Sequence, residues 1–590
     1  MITPCLLAAL LLGSPAPPAP KKPLQKKAPP AFQVRIFTLP ALLGEKLRDS
    51  NPLIGRIFLP WTPPPDSKPP QALLLSSMPI HWLPCDPDAS KPFASPGDLK
   101  EILSCWAGEK LGTQSRESIR KVDSALDTPP DRIMVSQTPE AMKKIEEYLR
   151  TLQQGLRPRY SFKAVLFLAP RNRTDKPFQV LDPTRGEAIF QEIENGRFGR
   201  VLHIARGNCM AWDSIFLGKT RSVSFIPDLE VEIAQKASIA NPETRTLKLN
   251  QGLALAPTPS FRCNATEISG LVIFQEPKAS PKAMGLQTIR PRMIIEKARI
   301  ENLQMEFSLS FKDRLALLMA PGGWRRPNLR VLLLAKRLDP TPDFPEGRAI
   351  LSPIYTSTSF SVGFFDNKWA SSYPSCDFFL DILKGDKFDR LNFLQMNTGI
   401  FLKGPKEVLN RAISLAESIY KGFQRKFRME VIREKIPVEP YGVEEKDWTL
   451  LGLPTVIPCL GGRSAFVLLG EEENYVSDYD EEVAAKTEIS DPQVKRTFDG
   501  SQILVRVDPA GEVCAVKLDI LEQSLLGFRR IPSAEITKCG TIEAPDLRWV
   551  HWNRRYLMRP GETRLLGFGP PRRIGDRLYR TRVSIRLIED

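Results

Sequence analysis

The stretch Val231-Glu-Ile-Ala-Gln-Lys-Ala-Ser-Ile-Ala-Asn-Pro242 recurs 250 positions later as Glu481-Glu-Val-Ala-Ala-Lys-Thr-Glu-Ile-Ser-Asp-Pro492. Alanine, lysine, isoleucine and proline keep their places, and Ile233/Val483 and Asn241/Asp491 are near substitutions. An internal repeat restricts a fold more than any local propensity, because whatever one copy forms the other must form too. The flanks agree. Cys209 precedes Cys459 by 250 positions, and Cys263 precedes Cys514 by 251. Pro139-Glu-Ala-Met142 and Pro405-Lys-Glu-Val408 each open a helical pattern. Ile295-Glu296 is followed by Leu303 much as Ile542-Glu543 is followed by Leu547. Strand-like runs at 329–338 and 579–588 close the copies, so the chain reads as two tandem units, 31–345 and 346–590.

Each unit opens on a small α+β module and continues into a β-domain. In the first, 132–138 reads as a strand and turn, and Pro139 stands in a first helical turn. Met142, Ile145, Tyr148, Leu149 and Leu152 then recur at helical spacing, Gly155 ends the helix, and 160–166 alternates as a strand. The second repeats this with Ile400-Phe-Leu402, Pro405, a helix carrying Val408, Leu409, Ala412, Leu415 and Ile419, then Gly422 and a strand over 427–431. The remainder of both units consists of short apolar or alternating runs between turn residues, the spacing of an antiparallel sheet or sandwich. The expected fold is α+β with strands dominant. The modules fall at 31–158 and 346–425, the β-domains at 159–345 and 426–590.

Residues 1–13 form an apolar run too short to span a bilayer, with the length of a secretory signal core and a small-residue cleavage point near Ala16. Pro and Lys then dominate 17–30, the composition of an extended linker. No later segment reaches 18 continuous apolar residues, so no transmembrane helix is expected. Export places the cysteines in an oxidising compartment. Disulfides Cys209–Cys263 and Cys459–Cys514 are expected on that ground, against the alternative of buried thiols that only pack. There is no Cys-x-x-Cys spacing to suggest zinc.

Several of these pieces together resemble the secretin family, the outer-membrane gatekeepers of type II, type III and type IV pilus machinery. Val135-Ser-Gln-Thr-Pro-Glu140 followed by Met142-Lys-Lys-Ile-Glu-Glu-Tyr-Leu149 is similar to the opening helix of that family's ring-building modules. Gly252-Leu-Ala-Leu-Ala-Pro257 and Gly500-Ser-Gln-Ile-Leu-Val-Arg-Val-Asp-Pro509 are similar to its G-x-x-L-x-V-x-P strand, and 515–524 to the strand after it. The resemblance implies modules that pack side by side through sheet edges and helix faces. It also implies protein partners or self-association, and an exported place in the periplasm or at the outer membrane. The Gly-to-Pro spacing differs between the copies, the P-x-L-G-x-I-P-x-L-G-x-L-F signature is missing, and no pair of long amphipathic hairpins is legible. The expectation is therefore a tandem, non-channel relative acting as an assembly or scaffold component, with a true secretin channel as an alternative.

No catalytic constellation is legible, and neither metal nor cofactor is expected. His81, His203 and His551 are scattered outside any H-E-x-x-H frame. Leu217-Gly-Lys-Thr220 has Asp213 where a phosphate loop needs glycine, and reads as a β-turn. Residues 471–482 carry seven carboxylates and no base, without the spacing of a calcium loop, and read as a solvated hairpin. The net charge is +15, and 548–586 holds eleven arginines against Glu562 and Asp576. Among them Arg554, Arg555, Arg559, Arg572 and Arg573 are the candidates for gripping an anionic envelope polymer, lipid head groups or an acidic partner. A soluble charged sheet face is the competing reading. Export removes most nucleic acid from reach, so nucleic acid is not the expected partner.

Overall fold

The computed structural model describes residues 132–137, 139–170, 176–211, 213, 215–234, 237–278, 282–286, 293–323, 325–341, 348–351, 376–383, 388–396, 399–422, 424–437, 449–484, 487–532, 541–574 and 577–590, with 33–38, 119–121 and isolated shorter pieces before them. The segment 1–16, the linker 17–30 and His81 lie outside the described residues.

Strands β1 (Gln33–Thr38), β2 (Ile119–Lys121) and β3 (Arg132–Gln137) form a small sheet with β3 central. Helix α1 (Pro139–Leu156) follows with Pro139 in its first turn, where a missing N–H is harmless. Its stripe of Met142, Ile145, Leu149, Leu152 and Leu156 is buried. That stripe shares a cluster with Ile350, Met396 and Phe401, so the first helix also packs against the second module.

Next come β4 (Arg159–Leu168), β5 (Phe178–Leu181), α2 (Pro183–Glu194) and β6 (Arg200–Met210). The Asp182 carboxylate accepts the Thr184 N–H at 2.9 Å and Pro183 takes the first helical position, which is why α2 starts there. The long strands β7 (Ile215–Ala234), β8 (Ala237–Pro259) and β9 (Thr266–Pro277) lead to a short hairpin, β10 (Lys282–Leu286) and β11 (Met293–Lys297). Then β12 (Arg299–Phe311), β13 (Arg314–Met319) and β14 (Leu329–Arg337) close the first unit.

The second unit has a module of β15 (Arg348–Leu351), α3 (Cys376–Leu383), β16 (Asn392–Met396), β17 (Gly399–Lys403) and α4 (Lys406–Lys421). Strands β18 (Lys426–Pro437) and β19 (Thr455–Leu460) follow. The four long strands are β20 (Ser464–Ala484), β21 (Thr487–Ala510), β22 (Val513–Pro532) and β23 (Thr541–Met558). The chain ends on β24 (Thr563–Phe568), β25 (Arg572–Ile574) and β26 (Arg577–Glu589).

The two units share one eight-stranded antiparallel sheet, in the order β7-β8-β9-β12-β20-β21-β22-β23. The expectation that long hairpins are lacking is overturned, because β7 and β8 have 20 and 23 residues and β20 and β21 have 21 and 24. Alternation fails to reveal these strands where both faces are buried, as along β9 from Thr266 to Gln275. Leu217 to Thr220 likewise lies inside β7 rather than in a turn. Gly218 faces Gly252 there, and a Cβ on Gly252 would stand 2.4 Å from the Gly218 Cα.

Beneath the large sheet lie two smaller ones. The first is ordered β6-β4-β14-β13-β5; the second is built on β18, β26 and β24, with β19 beside β18 and β25 beside β26. Alternate residues of β4 explain the layering. Tyr160, Phe162, Ala164 and Leu166 join the large core. Val165 and Phe167 turn to the opposite side, beside Phe190 and Ile193 of α2. In the second unit Val583, Ile585 and Leu587 face the same large core. Arg586, which matches the buried Leu334 in the ladder to the neighbouring strand, is exposed, and among the described residues no helix covers it.

Candidate assembly interface

Strand pairing proves the repeat at the level of single residues. Ile215 faces Leu255 and Ala465 faces Val505, and the two hairpins each shift register at the same height, between Phe225 and Asp228 and between Val476 and Asp478. The ladder from β9 to β12 stops after Pro277 opposite Ile300, where the chain leaves into the β10–β11 hairpin. The ladder from β22 to β23 shifts just after Leu525 opposite Leu547. The Ile-Glu pairs of the sequence acquire a reason here. Ile226 donates its N–H to Glu296 at 3.0 Å, and Val476 donates its own to Glu543 at 3.4 Å, so each glutamate satisfies a backbone group beside a register shift.

Unit two joins unit one through β20 on β12, with Arg299 opposite Glu473 through to Met305 opposite Val467. Below that ladder the turn between β19 and β20 sinks onto β9. Arg463, 1 % exposed, pairs with the equally buried Glu267 and donates to the Ser269 hydroxyl at 3.2 Å. The Leu460 N–H reaches Ser308 Oγ at 2.9 Å. Burial raises the Glu267 pKa despite the guanidinium beside it.

Arginines from one loop and from strands β18 and β25 brace the sheet from below. From the β13–β14 loop, Arg325 meets Asp499 at 3.0 Å and Glu471 at 3.5 Å, and Arg326 meets Glu276 and Glu301, each at 2.8 Å. Arg572 meets Asp499 and Glu522, each at 3.0 Å, while Arg433 meets Glu522 at 2.7 Å. Burial opposes ionisation of Glu522, Asp499 and Glu471, but the surrounding cations outweigh it and all three pKa values are lowered.

The junction covers a surface that its counterpart leaves open. On β9 both faces are buried over Thr266–Gln275, because unit two covers the outer one. On β22 the matching lower half alternates, with Cys514, Val516 and Leu518 buried and Ala515, Lys517 and Asp519 half-buried. Strand β12 is almost wholly buried, whereas β23 exposes Asn553, Arg554, Arg555 and Leu557, the last at 68 %. The outer strands of the sheet are β7 and β23, the counterparts of the two strands that meet at the internal junction.

The candidate arginines divide. Arg554, Arg555 and Arg559 are exposed on β23 and just beyond it. Arg572 is not on that face: it is buried in the ion-pair network, because the short strand β25 that bears it lies under the sheet. The side chain of Arg573 lies outside the described residues. Nor is the base of the acidic run solvated, since Glu471 and Glu472 are buried and Glu471 pairs with Lys278, Arg299 and Arg325. The acidic residues 480–482 have no described side chains.

The expected disulfides are absent, with Cys209, Cys263, Cys459 and Cys514 all free. Cys209 and Cys459 are true counterparts, opposite Tyr160 and Phe427. Cys263 and Cys514 are not. Cys263 closes a helical turn between β8 and β9, while Cys514 lies within β22, opposite Pro509 and Met558. The thiols pack as small apolar groups, and burial pushes Cys209, Cys263 and Cys459 up to about 12. Of the histidines, His551 Nε2 stands 2.8 Å from Asp519 Oδ1 on the β22–β23 ladder, and Asn553 donates to the other carboxylate oxygen. His203 lies on β6, its pKa lowered by burial and by Lys219.

Sequence reasoning missed Arg463, Glu267 and Glu522. Their only legible signal is a charge within an otherwise apolar strand or beside a turn.

No protein-family model matches the chain, and no curated protein matches it. Among solved structures the chain is similar to the secretin InvG of the Salmonella SPI-1 type III secretion injectisome, with 9% identity and a TM-score of 0.17. That match covers 34% of this chain and 75% of that one. It is also similar to a chain of the ETEC pilotin–secretin AspS–GspD complex, with 10% identity and a TM-score of 0.22, covering 45% and 68% of the two chains.

Proposed function

We propose that this chain is a non-catalytic assembly component of an envelope or secretion complex, exported to the periplasm or outer membrane. Its copies join head to tail, with β7 of one chain beside β23 of the next. One observation carries this reading: the surface that unit two covers on unit one lies open on unit two itself. A chain holding two copies of one block has already made the contact once, and its open end presents the other half of the same contact. Such a heterologous contact propagates, into a ring if the rotation closes. The edge strands add backbone donors and acceptors, and covering Leu557 and Ala515 adds apolar burial at roughly 25 cal/mol per Å².

The test is the mass of the mature protein by light scattering without detergent, at low and high salt. Multiples of the chain mass that survive high salt are expected. A monomer at both salts overturns the reading. A second reading rests on Arg554, Arg555 and Arg559, all exposed, with Arg554 and Arg555 on opposite faces of β23: this edge of the sheet grips an acidic polymer. Binding of that kind collapses as salt rises, whereas apolar packing does not.

A further inference from the structure

The two head turns are built alike but carry opposite charge. The Ala211 N–H bonds to the Pro158 carbonyl and the Asp213 N–H to the Met210 carbonyl. Likewise the Gly461 N–H bonds to the Arg425 carbonyl and the Arg463 N–H to that of Leu460. Asp213 therefore stands where the second unit has Arg463. In the first unit Arg157, buried, pairs with Asp213 at 2.9 Å, and its counterpart in the second is Gln424.

The receiving strands invert in the same way. Gln251 faces Phe274 and Ser501 faces Glu522, which sets β9 and β22 in correspondence. Glu267 and Ser269, the two residues that receive Arg463, then match Ala515 and Lys517. Lys517 is half-buried on the open face, near Arg506, Arg555, Asp508 and Asp519. Its pKa is lowered by burial first and by Arg555 and Arg506 next. Asp508 and Asp519 offset part of that cost, and a carboxylate arriving from another molecule would offset more.

We infer that this double inversion is a pairing code: Arg463 on Glu267 within a chain, and Asp213 of one copy on Lys517 of the next. The inference rests on the head-to-tail reading and specifies it. The two wrong joins are repulsive. A first-unit head on a first-unit receiver sets Asp213 against Glu267, and a second-unit head on a second-unit receiver sets Arg463 against Lys517. Specificity of this kind comes as much from the repulsive alternatives as from the attractive pair. The reach is matched as well, since the shorter aspartate meets the longer lysine where a long arginine meets a glutamate.

The experiment exchanges the codes in the full mature chain. The head variant R157Q/D213R copies the second unit's turn, and the receiver variant A515E/K517S copies the first unit's strand. Each alone sets like charges face to face and is expected to associate at least about tenfold more weakly by light scattering and sedimentation. Mixed in equal amounts they regain association, and so does one chain carrying all four changes. K517R associates as wild type, whereas K517E does not, which answers the question even if the head variant fails to fold by circular dichroism. An oligomer indifferent to every one of these changes overturns the code and leaves head-to-tail assembly standing. A wild-type monomer removes both.

Discussion

Arg463 and Glu267 form the most enclosed ion pair described, at the point where the units meet. A buried pair is weak evidence for stability, but removing one member leaves an uncompensated charge in an apolar site. R463M is expected to lower unfolding stability by about 3–5 kcal/mol in denaturant titration, and E267Q/R463M to recover most of the loss. Three carboxylates of the bracing network respond to pH in the opposite sense from Glu267. Glu471, Asp499 and Glu522 have lowered pKa values, so their contribution is present above the ordinary values of 4.5 and 3.8 and is lost as pH falls through the folded ones. Glu267, with its pKa raised, contributes most below 4.5 and loses that as pH rises. With Asp339 and Glu589 also lowered, and Glu301 and Glu473 raised like Glu267, five carboxylates against three predict a melting temperature that falls on acidification below 4.5, and E522Q should flatten that fall. At the thiols, Cys263 and Cys459 should react with maleimide only after unfolding, since burial holds both in the protonated form. Mass spectrometry of the labelled peptides checks this, and labelling of the native protein at ordinary thiol rates would contradict it.

At the scale of elements, the helices were legible and the long strands were not. Proline at or just before the first turn and apolar residues at helical spacing identify α1 and α4, because each buries one stripe. Strands β9 and β12 bury two faces where β22 and β23 bury one, and β20 buries two where β7 exposes Lys219 to Ser222, so the same element has two different periodicities. The cysteine spacing misled for a related reason. The connection from β8 to β9 is longer than the one from β21 to β22, so equal spacing in sequence does not mean equal place in space. Ile295-Glu296 and Ile542-Glu543 showed the repeat correctly, but their purpose, holding a backbone N–H at a register shift, needs the fold. Glu543→Ala removes both that acceptor and the partner of Lys297. It is expected to cost about 1–3 kcal/mol and to speed amide exchange at Val476, read by hydrogen exchange.

For the whole molecule, the sheet and its charged bracing make the two units one body rather than two beads on a linker. Arg325 of the first unit reaches Glu471 and Asp499 of the second, and Lys297 reaches Glu543. The charge-rich tail divides along the same lines: Arg572 serves the interior, while Arg554, Arg555 and Arg559 remain for contact. That division was invisible in composition, because eleven arginines in one stretch carry no sign of which strand lies under the sheet.

The helix α2 with strand β5 lies on the back of the first unit, and among the described residues the second unit has no counterpart. A closed ring of such chains would thus bear one ridge for every two building blocks. Its rotational order would equal the number of chains, half the number of blocks, and end-on averaged images would show teeth alternating with gaps around the rim.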